Sequence, residues 1–333
     1  MKISVCVPVR NEEESIQRLM DELLGQTRAP EEIIITDGGS TDSTRELIKA
    51  YIANFPRIQL ICESAALPGR GRNIAAKNAS CEWLAFIDAG VFPAKDWLEK
   101  LATCAEEAGQ VDVVFGAWEP VTDSFFKECS AIAYAYVPRK TVDEQFIESR
   151  FIACSLMRRG VWERVGGFLE HLRSAEDLLF MNAIDEAGFR VAYSPNAMVF
   201  WMMPSSLWRT FKRCLNYSRH NLRAGLGRRG QATIAGRYSA LVLIGLMGFA
   251  FGWRWTVIAV ALWLVMLVAR GTAAILRNRE NYPGTAGRNV RRMLWIVPIL
   301  AALDLATILG ACAWVIKDKL WPGGRAAPVA DAT

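Results

Sequence analysis

Histidine is nearly absent: 333 residues contain two, His171 and His220. Neither has a visible partner in the sequence, which excludes metal centres built on clustered imidazoles. The eight cysteines (6, 62, 81, 104, 129, 154, 214 and 312) form no Cys-x-x-Cys pair. Scattered beside apolar or small residues, they read as reduced packing groups, which excludes a zinc module and a disulfide scaffold. The opening is not expected to act as a secretory leader, since the apolar run Ile3–Val7 is brief and an acidic segment follows at once. The first half is therefore expected to stay in the cytoplasm. Acidic residues are scarce in the second half: Ser205–Thr333 carries 18 Lys/Arg against 4 Asp/Glu, whereas Met1–Pro204 carries 21 against 30. The charge reversal predicts a domain boundary near residue 204. Because long apolar stretches follow the basic segment, its expected partner is a membrane and not nucleic acid.

What is present in residues 1–204 is an alternation of short apolar runs and helical patterns. Ile3–Val7, Glu32–Thr36, Ile58–Cys62, Trp83–Ile87 and Val111–Phe115 read as strands. Helical spacing fills Glu12–Leu24, Ser43 to about Asn54, Arg72–Ala79, Arg159–Gly167 and Ser174–Ala187, and short strands are expected at 190–194 and 197–201. This order predicts an α/β fold with a mostly parallel sheet covered on both faces, whose ligands bind at the carboxyl ends of the strands. Asp37 and Asp88 both stand at such ends.

From Ser205 the pattern changes. Residues 205–232 read as a basic amphipathic helix lying at a membrane surface, with Trp208, Phe211, Leu215 and Leu222 on one face. Tyr238–Ala269 has one charge, Arg254, and is too long for a single crossing of about 30 Å. Residues 233–316 are accordingly expected to make about three spans, near 233–252, 255–276 and 293–316, followed by a tail at 317–333. The Arg-rich segments 205–237 and 277–292 are expected on the cytoplasmic side of an inner membrane, together with the acidic half. Three spans would put the tail outside, against the grain of its Lys317, Lys319 and Arg325. Asp304, alone in the third span, is read as a helix-pairing group.

Four chemical tasks would be served by the polar residues of the first half. Asp37 precedes a Gly-Gly turn and can accept from the imide of a base. Asp88 can reach a divalent cation that bridges phosphates. Arg70 and Arg72, in Pro68-Gly69-Arg70-Gly71-Arg72-Asn73, sit where glycines let a guanidinium approach phosphate. Asp177, in the first turn of a helix, can serve as a general base. Each has a bland alternative: turn chemistry for Asp37, dipole compensation for Glu176-Asp177, a surface turn for the Gly-Arg run.

Their order resolves the choice. The chain resembles glycosyltransferase family 2, with its GT-A fold, over about residues 1–200: Pro8-Val9-Arg10-Asn11-Glu12, Asp37-Gly38-Gly39-Ser40-Thr41-Asp42, Arg72-Asn73, Phe86-Ile87-Asp88-Ala89-Gly90, and Gly166-Gly167-Phe168 followed by Glu176-Asp177. The resemblance implies that Pro8, Asn11 and Glu12 line the nucleoside pocket with Asp37 on the base. It further implies that Asp88 coordinates Mg²⁺ or Mn²⁺ and matches Arg72-Asn73 to the family's helix start; with Arg70 of the Gly-Arg run, these two are expected in the donor site. Gly166, Gly167, Phe168 and Glu176 would form the acceptor loop, and Asp177 would take the acceptor proton in an inverting displacement. Two departures stand out. Gly90 replaces the second aspartate of the Asp-x-Asp motif, and Trp201 stands near the place of a late metal-binding histidine. Arg213 and Arg219 occupy the region of the family's Gln-x-x-Arg-Trp motif, itself missing, and are candidates for phosphate; the missing motif argues against a processive synthase.

The expected activity is transfer of a sugar from a nucleotide donor, UDP-linked in preference, to a lipid-linked or glycan acceptor of the cell envelope. A polyprenyl-phosphate glycosyltransferase and a non-catalytic, nucleotide-sugar-binding membrane subunit are the alternatives. A nucleotidyltransferase would need a Gly-rich loop with a lysine after the first strand, and Pro8–Glu12 is no such loop.

Overall fold

The computed structural model describes residues 1–135 and 150–320. The remainder of the expected tail, 321–333, lies outside the described residues. Two compact units partition the chain. The first takes in Met1–Val121 and the segment up to Met202; the second takes in Thr122–Ala135 and the residues from Met203 on.

In the first unit the chain runs β1 (Ile3–Val9), α1 (Ile16–Leu24), β2 (Glu32–Asp37), α2 (Thr44–Ile52), β3 (Ile58–Cys62), α3 (Pro68–Asn78), β4 (Trp83–Phe86), β5 (Val91–Pro93), α4 (Trp97–Glu107) and β6 (Val113–Val121). After α5 (Phe125–Tyr134), which belongs to the second unit, come β7 (Ser155–Arg158), α6 (Arg159–Val165), α7 (Glu176–Glu186) and β8 (Val191–Met202). The strands form one sheet in the order β3-β2-β1-β4-β7-β6-β8-β5. Pairings β3-β2, β2-β1, β1-β4 and β6-β8 are parallel, whereas β4-β7, β7-β6 and β8-β5 are antiparallel. The sheet is therefore mixed, with a parallel half carrying the strand ends that matter below. The two short strands expected at 190–194 and 197–201 are one strand, β8, whose register shifts opposite Gly116/Ala117.

Alternation along β1 shows why both faces are covered. Ile3, Val5, Val7 and Val9 enter a core shared with α1, α2 and α4, while Cys6 turns to the other face, packed with α3, α6 and α7. Buried thiols fill gaps on both sides. Burial pushes the Cys154 thiol up to about 12 and raises that of Cys6 further, so both are neutral packing groups.

The second unit holds α5, α8 (Leu207–Arg223), α9 (Arg228–Phe251), α10 (Arg254–Arg277) and α11 (Ala286–Trp314), which continues in a wider turn to Leu320. Three stretches are long and apolar enough to cross a membrane: 230–251, 254–277 and 286–320. Among them lies a polar cluster in which Asp304 accepts from Tyr238 Oη at 2.8 Å and pairs with Arg270.

Candidate functional site

Three parallel strands end side by side. β1 and β2 are in register through Val9 and Asp37, and β4 joins β1 with Cys6 opposite Phe86. Their continuations, Arg10–Glu12, Asp37–Ser40 and Asp88–Gly90, therefore emerge at one edge of the sheet.

The first two continuations are laced together. Asn11, at φ 56°, donates its amide to Ser40 Oγ and accepts from Thr41 N through its side chain at 2.8 Å. Glu12 N donates to Thr44 Oγ1 at 2.8 Å, and Ser43 N to Glu13 at 3.0 Å. Asn tolerates the left-handed conformation better than most side chains, which suits it to this corner. Asp37 is buried within its own turn. Its carboxylate accepts from Gly39 N and Ser40 N at 3.1–3.2 Å and from Arg45 Nε at 2.6 Å. Burial works against the charge, but the hydrogen bonds from Ser40 and Arg45 outweigh it and hold the carboxyl below its ordinary value. Arg45 was invisible as a site residue from the sequence. The signal for it was a cation in the first turn of a helix, where the dipole disfavours one unless a carboxylate is near.

The Gly-Arg run is a helix and not a phosphate loop. α3 begins at Pro68, which pre-sets the first turn, and the glycines serve close packing. A Cβ at Gly69 would stand 2.6 Å from the carbonyl oxygen of Leu169, and one at Gly71 would stand 3.0 Å from Pro8 Cβ. This packing decides where the arginines go. Arg70 lies on the outside, paired with Glu63 at 2.9 Å and Glu170 at 3.2 Å. Arg72 is only 3% exposed and its guanidinium is closed by carboxylates. Nη2 reaches Asp88 at 2.7 and 2.8 Å, Nε reaches it at 3.1 Å, and Nη1 reaches Glu176 at 2.8 Å. Where the sequence places Arg72 on phosphate, the structure places it between the end of β4 and the start of α7.

Glu176 and Asp177 follow Ala175, a non-glycine residue held at φ 71°. Glu176 is buried, and its second oxygen has no partner among the described residues. Burial raises its pKa, with Asp177 adding to the rise and Arg72 opposing it. Asp177 is half-buried and accepts from Leu178 N at 2.8 Å.

Asn73 fixes the loop before α7. Its amide donates to Phe168 O at 2.8 Å, and its carbonyl accepts from Phe168 N at 2.8 Å and Trp162 Nε1 at 3.0 Å. Gly167 needs both its positive φ of 74° and its missing side chain, since a Cβ would meet Asn73 Oδ1 at 2.7 Å. Phe168 stacks on Phe180 with centroids 3.9 Å apart. Pro8, Asn11, Glu12, Asp37, Arg72, Asn73, Asp88, Gly166–Phe168, Glu176 and Asp177 thus fall into two adjoining networks joined through α3. Arg213 and Arg219 belong to the other unit, where Arg213 donates to Tyr217 Oη and Arg219 pairs with Asp318.

A divalent cation has a restricted but suitable donor set. No group of three or more His, Cys, Asp or Glu side chains converges among the described residues. Asp88 keeps 27% of its side chain exposed beyond the Arg72 fork. A Cβ on Gly90 would lie 3.8 Å from Glu12 Oε2, so the carboxylate of Glu12 stands beside the position of the missing motif aspartate. Burial, with Asp42 and Asp88 nearby, raises the Glu12 pKa against the Ser15 hydrogen bond. One or two carboxylates fit an ion that keeps its waters and takes its other ligands from phosphate.

Comparison with known proteins bears on family and fold. Residues 4–166 match the family profile of Glycosyl transferase family 2. The succinoglycan biosynthesis protein ExoA of Rhizobium meliloti is 26% identical over 301 residues, 84% of this chain and 87% of ExoA. Other curated relatives are matched over less of their length, 64% and 29% in two cases. Among solved structures, the mannosyltransferase PcManGT from Pyrobaculum calidifontis in complex with GDP-Man and Mn²⁺ aligns with TM-score 0.53 and 17% identity, over 96% of this chain and 88% of that one. TarS 1–349 of S. aureus in complex with UDP aligns with TM-score 0.50 and 19% identity, over 99% and 95%. At these identities the two structures establish the fold.

Proposed function

Residues 4–166 belong to Glycosyl transferase family 2, and we propose that the chain moves one sugar, with inversion, from a nucleoside diphosphate to a lipid-linked or glycan acceptor at the cytoplasmic face of a membrane. The observation that carries this reading is the Asp88–Arg72–Glu176 bridge. One buried guanidinium ties a strand end suited to the donor to a helix start suited to the acceptor.

In this reading the corner Pro8–Glu12 and the Asp37 turn hold the nucleoside, and Asp37 acts through the turn it stabilises. Asp88 and Glu12 would hold Mg²⁺ or Mn²⁺, which when bound neutralises charge on the diphosphate. Asp177 accepts the proton of the acceptor hydroxyl as that oxygen bonds to the anomeric carbon. The carbon–oxygen bond to the diphosphate breaks on the opposite side, and the electron pair leaves with the phosphate. Glu176, pinned by Arg72, positions Asp177 in the first turn of α7, and Asn73 holds the 166–168 loop against it. A uridine donor is favoured, in line with the UDP bound by TarS, whereas PcManGT binds GDP-Man. The apolar helices of the second unit favour an acceptor carried by a lipid or assembled at the membrane.

The test is nucleotide binding (UDP, GDP, TDP, CMP) to the full chain with and without Mn²⁺, together with transfer of radiolabelled sugar into membranes. Asp177→Asn is expected to keep donor binding and lose turnover at least 100-fold, the lower end of general-base effects. Absence of binding to every nucleotide would overturn the proposal, and turnover retained by Asp177→Asn would overturn the role of Asp177. Mild-acid lability of the labelled lipid would favour a polyprenyl-phosphate acceptor.

A further inference from the structure

Hydropathy alone makes three crossings, but α11, unlike α9, has polar-faced helices packed along its length. Along its second half, from Leu303 to Asp318, α11 is covered by α8. Cys214 Sγ lies 3.8 Å from Leu303 O, Ser218 Oγ donates to Thr307 O at 2.8 Å, and Arg219 pairs with Asp318 at 3.0 Å. The approach is close enough that a Cβ on Gly310 would stand 2.7 Å from Leu215 O. On its outward side α8 exposes Arg209, Lys212, Asn216 and Arg223. A row of such groups beside the middle and end of α11 requires water or headgroups at that level, since charges in hydrocarbon are costly. The first half is capped similarly: Glu128 of α5 pairs with Arg288 and Arg292 at 2.6 Å, and Phe126 packs edge-on against Trp295. On another side α11 shows one exposed apolar stripe, Val290, Leu294, Pro298, Leu305, Leu309 and Ile316.

The hairpin of α9 and α10 meets α11 only near its base. Tyr238 and Arg270 reach Asp304, and Gly271 lies against Met293 and Ile296. Beyond that level α9 buries nothing among the described residues, and Leu243, Phe249, Phe251 and Trp253 are exposed. From Tyr238 to Phe251 is about 20 Å, and from Arg254 to Arg270 about 24 Å. Added to a surface helix sunk about 5–10 Å, either length brings the Gly252–Arg254 tip to the far side of a core about 30 Å thick.

We propose that α9 and α10 alone cross the bilayer and that α11 lies along its surface, apolar stripe down, with α5 and α8 between it and water. The surface it fits is anionic, matched by the exposed Arg291 and Lys319 beside the stripe. Both ends of α11 then face the same side, which removes the conflict that Lys317 and Lys319 pose for a third crossing. The Arg270–Asp304–Tyr238 cluster sits at headgroup depth, where an ion pair needs no special function. The inference stands apart from sugar transfer and survives if that chemistry is wrong.

Spin labels decide it. The full chain carries Leu294→Cys, Leu305→Cys or Ile316→Cys singly, with Cys62 and Cys312 changed to Ser, in vesicles of phosphatidylethanolamine and phosphatidylglycerol. Equal shallow depths are expected at all three positions. A crossing helix would spread the outer two by about 33 Å, and such a spread would overturn the proposal. Protease sites inserted after Leu320 and at Gly252 give an independent reading: cleavage from opposite faces is expected, and cleavage of both from one face would overturn it.

Discussion

Replacing Arg72 by methionine tests the bridge at the centre of the site. The substitution keeps the length of the side chain and removes a guanidinium that is 3% exposed and makes four contacts of 2.7–3.1 Å to two carboxylates. Glu176, 4% exposed at its side chain and already short of one partner, then has neither oxygen satisfied. Removing one member of a buried ion pair costs about 3–5 kcal/mol. At about 2–4 °C per kcal/mol for a unit of this size, the melting temperature should fall by roughly 6–20 °C. The loss should also depend on pH. Burial already holds Glu176 above its usual value of 4.5. A raised carboxyl contributes stability that is complete below that value and lost as pH rises through the native pKa. Without Arg72 the native pKa climbs further, so the deficit should widen toward neutral pH. Arg72→Met/Glu176→Gln should recover part of the loss, because the unpaired charge is gone. Thermal unfolding followed by circular dichroism across pH, for wild type and the two variants, measures all of this. A loss below about 1 kcal/mol for Arg72→Met, the range of a surface pair, or one independent of pH, would refute the reasoning.

Asn73→Ala should cost about 1–3 kcal/mol by leaving the Phe168 amide and carbonyl unpaired, and should change Trp162 fluorescence; unchanged emission would argue against the loop clamp. Asp37→Asn should flatten the acid limb of stability. A carboxyl held below its usual 3.8 gives stability present above that value and lost as pH falls through the native pKa, and urea midpoints between about pH 3 and 6 test it. Gly90→Asp should weaken the apo protein, through its φ of 79° and repulsion by Glu12, while tightening Mn²⁺ binding read by electron paramagnetic resonance; looser binding would remove Glu12 from the ion's surroundings. Gly116→Val should destabilise by about 1–3 kcal/mol or more, because even a Cβ there would stand 2.4 Å from Cys154 Sγ and 2.5 Å from Ala197 O; normal thermal unfolding would contradict that close packing.

The parallel half of the sheet was legible because its strands are continuous apolar runs punctuated by Asp-Gly or Asp-Ala-Gly turns, and that half holds most of the site. β7 and the short β5 were not, since each takes its character from neighbours distant in sequence: Val91–Pro93 is a strand only because β8 passes beside it. The motifs marked residues that the fold brings close together but not the partners each one takes. Arg72 looks like a phosphate ligand until α3 is seen to start at Pro68, which buries it. Asn73 looks like a donor contact until the chain returns 95 residues later at Phe168. Hydropathy likewise located α11, but a one-dimensional average carries no record of α8 lying beside it.

The neutral thiols inside the sheet have a practical corollary. Maleimides react with thiolate, and Cys6 and Cys154 offer almost none at neutral pH. Cys62 and Cys312 are the exposed thiols among the described residues, and Cys312 is in the helix proposed to rest on lipid. A water-soluble dye added to the protein in vesicles should therefore mark Cys62 first and Cys312 only after detergent. The natural sequence would then supply one fluorophore handle per unit, enough to follow by energy transfer whether the two units move when a nucleotide binds.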